Sequence, residues 1–406
     1  MNKWIIILLF CLFNLFFGTA YELKLISVIA IIIYGLFSAT KVTSIYKKVF
    51  ILFFIGIIGA TISCKVYRGQ SFLDSIKAMQ FYYGILFYFI LKANKVNLKT
   101  VEDALLILIC VLDILYISQY YLLPYGYNFL GIDDWMIGEG SEMGGTRLRV
   151  MSSGLYLVGL MYGLSKWYIT KEIKYLPLFF LGVFIMLLAG YRQFVASLFV
   201  TIIYMFYAID RRINFKQIKY LILLGVIAIV ILTIPAVQEK ISGMLERNAT
   251  GQNLGDSDYI RVVQFEFFTK EYFSNPIEYF FGSGIPYGSS HFGKWFESLR
   301  LSGIQYVDWG ILGMSWVLGI PTAVAVIWMF IKGIRLKVEQ QYKYLGMYLF
   351  FLLTTCITNW EMFRNGNFLV HSMVLYIIEQ AHYRYIQMKA NPISCLLYTS
   401  PSPRDM

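Results

Sequence analysis

The residues in this sequence that could do chemistry are few and widely spaced. Arg192 lies in Leu188-Ala-Gly-Tyr-Arg-Gln-Phe194, and Arg261 in Asp256-Ser-Asp-Tyr-Ile-Arg-Val-Val-Gln-Phe-Glu-Phe-Phe268. A guanidinium presents a planar fork of donors suited to phosphate oxygens, so either could clamp an anion. The plainer roles are an interfacial anchor for Arg192 and a solvated surface cation for Arg261. His291 could accept a proton from a hydroxyl nucleophile, because imidazole changes charge near neutral pH. It could equally be an ordinary loop histidine. Asp308, in Val307-Asp-Trp-Gly310, is a rival base or hydroxyl acceptor, and its structural role would be an N-cap. Arg147 and Arg149 open a further apolar segment, and Trp360-Glu-Met-Phe-Arg364 lies between two others, with charges expected to be mostly solvated or lipid-facing.

The elements that must hold these residues are apolar. Of 406 residues, 58% are hydrophobic and 18% aromatic, and the mean hydropathy is +0.62. Runs of about 17–25 apolar residues, enough to cross roughly 30 Å of hydrocarbon, recur along the chain. We expect an all-α polytopic membrane protein with spans near 4–20, 25–40, 49–65, 76–91, 101–123, 150–168, 174–190, 193–209, 218–235, 306–331, 343–359 and 366–382. The net charge of +11 would suit nucleic acid, but the Lys and Arg residues concentrate in alternate short connections. These hold Lys41, Lys47 and Lys48; Lys92, Lys95 and Lys99; Lys166, Lys171 and Lys174; Arg211, Arg212, Lys216 and Lys219; and Lys332, Arg335 and Lys337. The opposite connections are mixed or acidic, as at Asp133, Asp134, Glu139 and Glu142. Such alternation predicts about twelve spans with both termini cytoplasmic. Residues 236–305 then form one large extracytoplasmic loop between the ninth and tenth spans.

Within that loop, Asp256, Ser257 and Asp258 are good N-caps for a helix starting near Tyr259. Ile260, Val263, Phe267 and Phe268 make one apolar stripe along it, suited to a membrane surface. Arg261 falls in the first turn, where the helix dipole disfavours a cation unless an anion joins it. Asn275-Pro276 is expected to end this helix, and Gly282-Ser-Gly284 to form a tight turn or a close backbone approach. The cysteines show no paired spacing for a metal site or disulfide framework. Trp4–Ala20 reads as a first span, with a cleavable signal peptide as the alternative because Lys3 precedes it and Gly18-Thr-Ala20 is small.

The order of these motifs resembles the O-antigen polymerase and O-antigen ligase superfamily. The likeness rests on Arg149-x-x-Ser152 opening a span, Arg192 in a short outer turn, and the large loop after the ninth span. In that loop Arg261 precedes Asn275-Pro276 and Gly282-x-Gly284, and Gly310-Ile-Leu-Gly313 with Gly319-Ile320 opens the next span. It covers Arg147 to about Ile320; the first four spans match in hydropathy alone. The resemblance implies a C-type glycosyltransferase fold and a bacterial inner-membrane enzyme acting on an undecaprenyl-pyrophosphate-linked glycan. Arg192 and Arg261, with Arg149, would bind that donor, and His291 or Asp308 would be the base. No metal or cofactor is implied. A flippase and a chain-length regulator would be protein partners, and nucleic acid would not. Ligase-like members carry a His shortly before the Gly-Ile-Leu-Gly span. This chain has Asp308 there, which favours a repeat-unit polymerase over a ligase that moves finished glycan onto lipid A core or another acceptor. A flippase or other transporter of lipid-linked oligosaccharide is the reading from a different class. The end of the chain, 395–406, stands apart from residues 1–394, because Cys395 to Asp405 resembles a translated sequencing adapter.

Overall fold

A computed structural model describes residues 1–14, 21–127, 130, 137–138, 147–148, 151–189, 192–210, 238, 242, 260–357 and 359–390. The expected segment 218–235, the caps at Asp256 to Asp258 and the tail 395–406 lie outside the described residues. What is described is helical apart from a two-residue antiparallel bridge between β1 (Ile137–Gly138) and β2 (Arg147–Leu148).

The first helices are α1 (Lys3–Phe13), α2 (Tyr21–Lys41) and α3 (Lys47–Arg68). Asn2 caps α1 by accepting from the Ile5 amide. Arg68 and Lys65 close α3 where the helix dipole favours cations, and Gly69 stops it at φ 69°. The expected span at 76–91 is not one continuous helix. It divides into α4 (Phe72–Ala78), a 3-10 stretch (Gln80–Leu86) and α5 (Phe87–Ala93). The tighter stretch lies against a later helix: a Cβ on Gly84 would stand 3.1 Å from the Leu369 nitrogen. Then come α6 (Leu98–Leu122), α7 (Gly154–Thr170), α8 (Leu176–Leu188) and α9 (Arg192–Asp210).

The 260–306 segment contributes α10 (Ile260–Glu266), a π-helical turn (Phe267–Glu271), α11 (Pro276–Phe281) and α12 (His291–Leu301). Helices α13 (Gly310–Arg335), α14 (Lys343–Thr355) and α15 (Asn367–Ala390) complete the described elements. Among the described residues, four stretches are long and apolar enough to cross a membrane, namely Leu23–Lys41, Lys47–Arg68, Gln193–Asp210 and Val307–Arg335. They identify a membrane protein. Lys3–Phe13 and Ile173–Leu188 are apolar but shorter.

Helices α13 and α15 form the middle of the bundle. Helix α13 packs on α3, α11 and α14, while α15 packs on the 3-10 stretch, α5 and α6. Every residue of α15 from Asn367 to Glu379 is buried. By contrast α2 and α3 expose Ile26, Ile33, Ile51 and Ile58, the apolar outward faces that hydrocarbon accepts and water does not. A second apolar cluster, built from Phe268, Tyr272, Phe292, Phe296, Trp316 and Cys64, joins the 260–306 segment to α3 and α13.

Candidate functional site

Residues 260–306 do not sit as a separate layer. Asn275 accepts from the Ile277 and Glu278 amides, and Pro276 occupies the first turn, so Asn-Pro begins α11. The sequence expectation placed it at the end of a helix; proline at that position loses only an amide the helix leaves unpaired anyway. Helix α11 lies between α3 and α13, and the Phe281 ring fills the space above Gly59, well inside α3.

The Gly282-Ser-Gly284 turn then meets a break in α13. At Gly319, φ 81° and ψ 158° interrupt the helix, and Pro321 follows. Carbonyls before such a break lose their helical donors. Here the Ser283 amide donates to the Trp316 carbonyl at 2.9 Å and the Gly284 amide to Val317 at 2.8 Å. Both glycines of the turn have positive φ, and a Cβ on Gly282 would stand 2.5 Å from the Gly319 nitrogen. Only glycine permits this approach. Tyr272 secures the turn by donating to Ser283 Oγ at 2.8 Å. Burial pushes its phenol up, against a weaker lowering by Arg68, which keeps it a donor.

Arg261 lies in the first turn of α10 and is partly exposed. Among the described residues it has no ion-pair partner. One turn on, Gln264 is buried at 1% exposure. Its Nε2 donates to the Gly303 carbonyl at 2.7 Å and to Asp308 Oδ2 at 3.3 Å. Phe268 continues this face and stacks on Trp316 at 4.6 Å. Of the apolar stripe expected along the helix, Ile260 and Val263 are exposed, while Phe268 faces inward together with Gln264. Asp308 occupies a 3-10 turn, Val307–Trp309, makes no capping bond there and is partly exposed. Gln264 thus links the helix bearing Arg261 to the carboxylate before α13.

Arg192 is the first residue of α9; its side chain lies outside the described residues. Next to it, Gln193 Nε2 donates to the Thr355 carbonyl at 2.9 Å. The following carbonyl, on Cys356, accepts from the Ile311 amide at 2.7 Å. The start of α9 therefore meets the end of α14 beside the start of α13, close in sequence to Asp308. Arg149 lies outside the described residues, but the segment it precedes reaches the same end of the bundle. Ser153 Oγ donates to Glu361 Oε1, and the Ser152 amide donates to the Asn365 carbonyl at 2.9 Å. Glu361 is not solvated, as expected from sequence, but fully buried and ion-paired to Arg364 at 3.0 Å.

His291 stands elsewhere. It is the exposed first residue of α12, capped by Ser290. Ser290 Oγ and the Tyr287 amide both donate to Gln70 Oε1, at 2.8 and 2.9 Å, which fixes this end of α12 beside the α3–α4 connection. There the structure shows a pair the sequence reading missed. Arg68 Nε lies 2.6 Å from Glu278 Oε1, with side chains 15% and 0% exposed. The guanidinium sits over Tyr272 at 4.3 Å, Phe292 at 5.6 Å and Trp295 at 5.7 Å. Glu278 Oε2 accepts from both the amide and the hydroxyl of Ser274, each at 2.9 Å. A lone glutamate in Pro276-Ile-Glu-Tyr-Phe-Phe281 was the available signal, since a carboxylate in an apolar run needs a counter-ion.

Among the described residues, no three His, Cys, Asp or Glu side chains are grouped to hold a metal ion. Compared with known families and with curated proteins, the chain matches no family model and no curated protein.

Proposed function

We propose that the protein is a glycosyltransferase of the bacterial cytoplasmic membrane that polymerises undecaprenyl-pyrophosphate-linked repeat units into a surface polysaccharide. In this reading the chain crosses the membrane about twelve times, with both termini in the cytoplasm and residues 236–305 outside. Arg192 and Arg261 hold the pyrophosphate, with Arg149 at its margin. Asp308 takes the proton of the acceptor hydroxyl as its oxygen attacks the anomeric carbon of the donor. The bond from that carbon to pyrophosphate breaks, and undecaprenyl pyrophosphate leaves with the bonding electrons. Each charged hydrogen bond to the departing anion is worth about 1.5–3 kcal/mol, so cations and a base suffice for this step.

The observation that carries the reading is the link from α10, bearing Arg261, through Gln264 to Asp308, at the end of the bundle where α9 begins with Arg192. His291, the other candidate base, lies with the Gln70 network instead. A transporter of the same lipid-linked glycan is the second reading, favoured by Asp113. This carboxylate is fully buried in α6 and neither oxygen has a hydrogen-bond partner. The size distribution of surface and lipid-linked glycan, with and without the gene, separates the readings. Collapse of a length ladder to a single capped repeat is the expected result. Accumulation of long lipid-linked chains would make the protein a ligase, and repeats that never reach the outer face would make it a transporter.

A further inference from the structure

Beside Asp308 the structure leaves two polar atoms without partners. Gln264 Oε1 is a buried acceptor with no donor, and Trp309 Nε1 is a buried donor with no acceptor. The Gln264 amide cannot turn over to relieve this, because both groups facing its Nε2, the Gly303 carbonyl and Asp308 Oδ2, are acceptors. An unpaired buried polar atom costs about 1–3 kcal/mol; here one belongs to the amide bonded to Asp308 and the other to the residue that follows it. Around this buried pair Phe265 is exposed, and Asp308 and Arg261 are partly exposed. The Phe265 and Trp309 rings, 5.1 Å apart, form an aromatic ledge there.

The three groups together select their ligand. A phosphate could accept from the indole but would be repelled by Asp308 and could give nothing to Gln264 Oε1. A cation would suit Asp308 and Gln264 and leave the indole unpaired. Hydroxyl groups both donate and accept, and a sugar also carries an apolar ring face for the ledge. We infer that Gln264, Asp308 and Trp309 form the subsite for the acceptor sugar, the ring whose hydroxyl is presented to Asp308. This rests on the glycosyltransferase reading and adds to it a binding site separate from the pyrophosphate arginines.

The probe is the lipid-free oligosaccharide released by mild acid from repeat units accumulating in a strain without the gene. Its binding to the full-length protein in lipid nanodiscs is measured by saturation-transfer NMR and compared with the intact lipid-linked repeat. Trp309→Phe keeps the ring and deletes the donor, and Gln264→Met keeps the volume and deletes the acceptor. Each is expected to weaken lipid-free oligosaccharide binding about 3- to 10-fold, with thermal melting as in wild type, while Arg261→Ala changes it less than about twofold. The same Arg261→Ala should weaken the lipid-linked repeat about 10- to 100-fold. Equal binding by wild type, Trp309→Phe and Gln264→Met would overturn the subsite, the two atoms then holding only water. Binding that requires the pyrophosphate also overturns it, while leaving the glycosyltransferase reading intact. If wild type binds neither form, that reading falls and the subsite with it.

Discussion

Glu278 and Asp308 belong to the same stretch of chain and meet opposite surroundings. Glu278 is fully buried, with an arginine against one oxygen and two donors on the other. Asp308 is partly exposed, receives one long bond from Gln264, and stands beside polar atoms that have no partner. A carboxylate whose valences are filled by its own chain can only hold that chain together. One whose valences are left open, on a turn bonded to the helix that carries Arg261, can receive something else. On the proposed reading the Arg68 corner is architecture and the Arg261 corner is chemistry, and mutations at each should fail in different ways.

The largest effect belongs to Glu278→Ala. Removing one member of a buried ion pair costs about 3–5 kcal/mol, since the remaining charge stays desolvated. We expect the protein to melt far below wild type in detergent and to accumulate poorly in membranes. The double substitution Arg68→Met with Glu278→Met should recover most of that loss. A single mutant that melts like wild type would remove the clamp from the architecture.

Asp308→Asn should do the reverse. It keeps shape and burial, so abundance and melting stay within error, while glycan polymerisation falls about 10²- to 10⁴-fold, the usual contribution of a general base. A normal ladder of chain lengths from this mutant would move the base elsewhere. Arg261→Ala comes next, with normal abundance and a loss of about 10- to 100-fold per hydrogen bond to pyrophosphate. Unchanged turnover in that mutant would return Arg261 to the plain role of a solvated cation.

The same contrast explains how much could be read from sequence. Helices show in local patterns: Asn2 ahead of α1, cations closing α3, and glycines at positive φ where several turns begin. Gly282 and Gly284 were legible as a turn, but the carbonyls they meet belong to a break in α13, a partner distant in the chain. The division of 76–91 was hidden too: its 3-10 stretch packs on α15, close at Gly84, a partner distant in the chain. Charges on exposed turns stood out, as Arg261 and Asp308 did. Arg68 reads as a helix-ending cation, and Glu278, though its apolar run calls for a counter-ion, does not say which cation supplies it. Gln264 carried no signal, as an amide in an amphipathic helix usually faces water.

The smallest effect should be at His291, which sharpens the comparison because sequence made it a candidate equal to Asp308. The imidazole is exposed, and the bonds that fix the start of α12 run through Ser290 and Gln70 rather than through it. His291→Ala should therefore leave melting unchanged and the length ladder within about twofold of wild type, roughly 0.4 kcal/mol in the barrier. Gln70→Leu, beside it, would strand the Tyr287 amide and the Ile285 carbonyl and should lower the melting temperature instead. If His291→Ala abolished polymerisation while Asp308→Asn kept it, chemistry would belong to the corner now read as architecture. The arginine stacked on Tyr272 would then become the cation to test next.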